Sequence, residues 1–76
     1  MKRTTNAERA ARRISQWVTD QHEGNFKAAA AQLKVDYTSF WRTARGHSER
    51  GPSSEIVAAL LDAAGKTFAH WTGRSA

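Results

Sequence analysis

Apolar residues recur at helical spacing along most of this chain. Ala7, Ala11, Ile14, Trp17 and Val18 form a single stripe over residues 6–21. Thr5 and Glu8 have the T-x-x-E spacing of a capping box, which satisfies two of the amides that a helix start leaves without partners. The pattern predicts a first helix over 6–21, with Trp17 in the core and Gly24 as its stop. Arg9, Arg12, Arg13 and Gln16 fall off the stripe and are expected in solvent.

Asn25 is placed to cap a short second helix over 26–33, whose four consecutive alanines favour helix and add almost no bulk. Lys34 and Val35 make a tight break. Asp36 then caps a third helix over 37–45, stopped by Gly46. Residues 47–52 are polar, contain Gly51-Pro52, and read as a loop. A fourth helix over 54–64 turns Ile56, Val57, Leu60, Leu61 and Ala64 to one side, and Gly65 ends it. Phe68 and Trp71 sit three apart in a last short turn. No strand-like alternation and no repeat occur. The expectation is one all-α domain of four helices and a short fifth, with Ile14, Trp17, Leu33, Val35, Phe40, Ile56, Leu60 and Leu61 in one core. Residues 1–5 are expected as a flexible basic arm and 72–76 as a loose tail.

Composition narrows the function classes. The chain has 76 residues and no cysteine, so a disulfide framework and a thiolate zinc site are excluded. No apolar run approaches the roughly 18 residues of a membrane span, and no apolar stretch of a secretory signal follows the basic start. A cytoplasmic location is expected. The net charge is +5, and its placement is uneven: residues 1–50 carry ten Lys/Arg against five Asp/Glu, whereas residues 51–76 carry two of each. A basic excess on one part of a small domain points to a polyanionic partner.

The second and third helices with their three-residue break carry the functional signal. Ala30 stands where two such helices would cross, a place with little room. Leu33, Val35 and Phe40 supply the apolar contacts that fix a crossing of about 90–120°. Thr38, Arg42 and Arg45 then share an outward face at i, i+4 and i+7. The stretch AAAAQLKVDYTSFWRTARG, Ala28 to Gly46, resembles the helix-turn-helix of the lambda-repressor-like family, which includes phage Cro and repressor proteins. Ala30, Leu33, Val35, Phe40, Arg42, Arg45 and Gly46 carry the resemblance. A loop ending in Pro52 before an apolar helix extends it to about residues 6–71. The apolar helix leading to a lone C-terminal tryptophan also resembles the small Ner-type phage regulators.

Two positions depart from that pattern. Lys34 stands at the turn position that is usually glycine, where a positive φ costs a non-glycine residue about 1–2 kcal/mol. Thr43 stands where a large apolar residue is usual. Periodicity alone buries Trp41 and Ala44 with Phe40, whereas the family pattern turns Trp41 outward.

The resemblance implies that the protein is a sequence-specific, double-stranded-DNA-binding transcriptional regulator. Tyr37, Thr38, Trp41, Arg42 and Arg45 would read bases in the major groove, with Arg42 the best match to the two acceptors of guanine. Asn25 and Lys27 would hold phosphate at the start of the second helix. His47, Arg50, Lys2 and Arg3 would add backbone contacts. A homodimer is expected, since small DNA-binding proteins often pair to read two half-sites, and Phe68 and Trp71 are the expected interface.

Two other classes compete: a protein-interaction module docking through Phe68 and Trp71, and an excisionase-like architectural protein that bends DNA. An ordinary corner of two helices that binds no nucleic acid stands beside them. His22, His47 and His70 have no metal-ligand spacing, and no nucleophile motif or phosphate loop occurs, so no metal, cofactor or catalysis is expected.

Overall fold

In the computed structural model, residues 5–47 and 51–74 are described. They form five helices and, among the described residues, no strand: α1 (Asn6–His22), α2 (Phe26–Leu33), α3 (Tyr37–Ala44), α4 (Ser54–Ala64) and α5 (Phe68–Thr72). Each begins at a residue with a short oxygen-bearing side chain that accepts a first-turn amide. Thr5 accepts from the Glu8 amide at 3.1 Å, Asn25 from Ala28 at 3.1 Å and Asp36 from Ser39 at 2.9 Å. Ser53 accepts from Ile56 at 3.3 Å and Thr67 from His70 at 3.1 Å. Five helix starts are thus written locally into the chain, each worth about 1 kcal/mol relative to alanine at that position.

The core forms where the apolar faces meet. Ile14 and Val18 of α1, Ala29, Ala30 and Leu33 of α2, Phe40 and Ala44 of α3, Ile56, Val57 and Leu60 of α4, and Trp71 of α5 make one cluster. Helix α1 packs on α2, α3 and α5, and α4 packs on α2 and α5. The alanines of α2 let its neighbours approach closely, and the Phe26 ring completes that side at 6.3 Å from the Phe40 ring. Trp17, Val35 and Leu61, expected in the core, are only partly buried at its margin. Trp17 sits edge-on to His22 at 5.3 Å, whereas Trp71, at 1 % exposure, is the tryptophan that the core takes in.

The C-terminal segment is the largest departure from expectation. Residues 72–74 are not a loose tail. Trp71 donates from its indole nitrogen to the Gly65 carbonyl at 2.8 Å. Arg9 donates to the Gly73 carbonyl at 2.9 Å, and Arg13 to the carbonyls of His70 at 2.9 Å and Arg74 at 3.3 Å. Two arginines expected in solvent therefore bind the carbonyl end of α5, where a cation meets both unsatisfied acceptors and the negative end of the helix dipole. Gly73, at φ +78°, lies so close to α1 that an added Cβ would meet the Asn6 carbonyl oxygen at 1.9 Å.

Candidate functional site

Helix α2 ends in a Schellman turn. The Val35 amide donates to the Ala30 carbonyl at 3.1 Å and the Lys34 amide to Ala31 at 3.2 Å, with Lys34 left-handed at φ +57°. The non-glycine residue in the turn thus adopts the strained conformation that the sequence pattern anticipated. Asp36 follows as the cap of α3. The turn leaves α3 packed across α2 and against α1, where the Ser15 hydroxyl donates to the Ala44 carbonyl at 2.7 Å.

This placement divides α3 cleanly. Phe40, Thr43 and Ala44 are buried. Tyr37, Thr38, Ser39, Trp41 and Arg42 face solvent, with Tyr37 46 % and Trp41 36 % exposed, and Arg45 extends the same surface past the last turn. The periodicity reading that buried Trp41 is corrected: Thr43 takes the inward position beside Phe40, on the flank of α3 that turns toward Val35 and Ile56, while Ala44 is the residue tied to α1. Trp41 is nonetheless held. Its ring stacks on His47 with 5.6 Å between centroids and 27° between planes, and the Arg45 guanidinium carbon lies 5.7 Å from its centre. The His47 amide donates to the Arg42 carbonyl at 2.9 Å, which fixes the chain as it leaves the helix.

Lys27, Lys34, Arg42 and Arg45 are exposed, and among the described residues no carboxylate forms an ion pair with any of them. Asp36 and Glu55 are the neighbouring acids, and one Asp36 oxygen is committed to the Ser39 amide. At the start of α2, Asn25 uses its side-chain oxygen on Ala28, leaving its amide group, the Lys27 ammonium and the first-turn amides for an anion. A groove of about 660 Å³ separates α3 from the start of α4, walled by Asp36, Ser39, Arg42 and His47 on one side and Pro52, Ser53 and Glu55 on the other.

The remaining sequence expectations divide. Tyr37, Thr38, Trp41, Arg42, Arg45 and His47 share one surface. Lys2, Arg3 and Arg50 lie outside the described residues. The proposed pair Phe68 and Trp71 is not brought together: Phe68 is 55 % exposed, whereas Trp71 is in the core and offers nothing to a partner. Sequence reading passed over Lys34 as a cation and Ser39 as part of the exposed face; both stand beside the caps and turn that were recognised. Among the described residues no three His, Cys, Asp or Glu side chains group to hold a metal ion, and no helix is long and apolar enough to cross a membrane. Comparison with protein-family models, with curated proteins and with solved structures finds no match in any of the three.

Proposed function

We propose that this protein is a sequence-specific double-stranded-DNA-binding regulator in which α2, the Lys34 turn and α3 act as a helix-turn-helix. The observation that carries the reading is the outward face of α3. It bears donors, an aromatic ring and two guanidiniums on a helix whose other side is locked into the core. An α-helix presented in this way fits the major groove, where arginine matches the O6 and N7 acceptors of guanine and tyrosine, threonine and serine add hydrogen bonds to base edges or phosphate. The exposed cations Lys27 and Lys34, without an acidic partner among the described residues, suit the phosphate backbone, which supplies affinity without sequence preference.

Occupying a promoter operator, in the manner of the Cro and repressor proteins that the sequence resembles, is the form of regulation proposed. No cofactor is needed for it, and the site of action is the DNA of a bacterial or phage-infected cell. Eight helical residues reach only a few base pairs, so a homodimer reading two half-sites about 34 Å apart belongs to the proposal. With Trp71 buried, Phe68 is the exposed apolar side chain left for pairing at the C-terminal end. The same burial removes one of the two anchors from the competing protein-interaction reading.

Selection of bound sequences from random duplex DNA tests the proposal. The expected result is enrichment of a short guanine-containing motif, in two copies one helical turn apart if the dimer is right. Recovery of unenriched DNA, or of none, contradicts it. A strong bend in the selected duplex, measured by circular permutation, would move the protein to the architectural class.

A further inference from the structure

Trp41 is the side chain that the packing of α3 leaves unexplained. The helix completes its core contacts with Phe40, Thr43 and Ala44 and is tied to α1 through Ser15, so the indole is not needed inside. Yet it is not a free rotor. His47 covers it as a stacked ring and Arg45 lies over it, while His47 is itself anchored by the hydrogen bond of its amide to Arg42. The result is a held apolar surface beside the Arg45 guanidinium, with Arg42 exposed on the same helix.

We infer that Trp41 selects DNA sites through apolar contact with the 5-methyl group of a thymine adjoining the guanine taken by Arg42 or Arg45. This rests on the proposed reading that α3 enters the major groove. The base edges there present nitrogen and oxygen donors and acceptors, and one apolar group, the thymine methyl. Indole offers ring carbon and a single N–H donor, with no acceptor. It cannot receive the amino donors of adenine or cytosine. The purine acceptors are matched better by the forked guanidiniums of Arg42 and Arg45. The methyl group is the complement that remains. A contact of the indole N–H with phosphate is the competing use, and it would carry no sequence information.

The test takes the duplex recovered by selection and replaces each thymine in turn by deoxyuridine, which deletes the methyl and keeps the base pairing. Wild-type protein, Trp41→Phe and Trp41→Ala are titrated against the series, with helix content checked by circular dichroism. One thymine in each half-site is expected to be sensitive. Its replacement should weaken wild-type binding about fourfold, the value for burying one methyl-sized group. Trp41→Phe should keep most of that discrimination, and Trp41→Ala should bind both duplexes alike. A flat scan for the wild type overturns the inference, and so does discrimination that survives in Trp41→Ala. Equal weakening of all duplexes, random ones included, by Trp41→Ala assigns the indole to phosphate. If Trp41→Ala does not fold, the scan of wild type and Trp41→Phe decides. A protein that binds no duplex at all fails at the earlier step, and the proposed function falls with the inference.

Discussion

Trp71 is 1 % exposed and Trp41 36 %, although each stands in a short helix beside apolar neighbours. Two turns of helix admit more than one stripe: Phe40 and Ala44 can be joined by Trp41 or by Thr43. The choice is made by what lies across from the helix, here Val35 and Ile56 beside Thr43, and that is not written within α3. Residue-scale predictions follow from similar local geometry. Gly73→Ala must accommodate a Cβ against the backbone of Asn6 and Ala10 at positive φ. It should cost about 2–5 kcal/mol, the sum of left-handed strain and overpacking. Gly24→Ala, also at positive φ but with nothing near the added Cβ, should cost only about 1–2 kcal/mol. Urea denaturation of both variants measures the difference, and equal losses would contradict the close packing of the C-terminal segment on α1.

His70 gives a pH dependence at the same scale. Burial, then the Arg13 guanidinium, then the Lys66 ammonium hold its pKa below the ordinary value of 6.5. The unfolded chain therefore binds the proton more readily than the folded one. Its contribution to stability is complete above pH 6.5 and is lost as the pH falls from there toward the lowered folded value. Thermal melts at a series of pH values should show the wild type losing more stability than His70→Gln on acidification from about pH 7.5 to 5. Parallel curves would show that His70 is not so placed.

At the scale of elements, much of the architecture was legible because it is local. Thr5, Asn25 and Asp36 are recognisable as caps from residue type and spacing, and α2 and α4 occur at the predicted bounds. Helix α1 ends one residue later than expected, with Glu23 rather than Gly24 as its left-handed cap, and α3 ends one residue earlier. The docking of α5 was not legible. Its five residues carry too little periodicity, and Arg9 and Arg13 look like an ordinary solvated face until the carbonyl end of α5 is brought to them across more than fifty residues of chain. The turn between α2 and α3 offers a test of element geometry. Lys34 holds φ +57° at a position where glycine is strain-free. Lys34→Gly should stabilise the protein by up to about 1 kcal/mol, the relief of strain less the entropy glycine loses on folding. A clear loss of stability in denaturant titration would mean that the Lys34 side chain makes contacts that outweigh the strain.

Across the whole molecule, the uneven charge has a structural counterpart. Arg9 and Arg13 are spent on holding α5, while Lys27, Lys34, Arg42 and Arg45 stand exposed without acidic partners among the described residues. Arg9 and Arg13 thus serve the fold while keeping their charge. The proposed function assigns these cations two distinct tasks, and the most direct measurement separates them. Wild type, Arg42→Ala and Lys27→Ala are titrated against the selected duplex and a random duplex at several salt concentrations. Arg42→Ala should lose about 1–3 kcal/mol on the selected site and much less on random DNA, as expected of a base reader. Lys27→Ala should weaken both duplexes about equally and lower the salt slope by about one. Equal weakening of both duplexes by Arg42→Ala would deny that α3 reads sequence, and unchanged binding by both variants would contradict the helix-turn-helix account altogether.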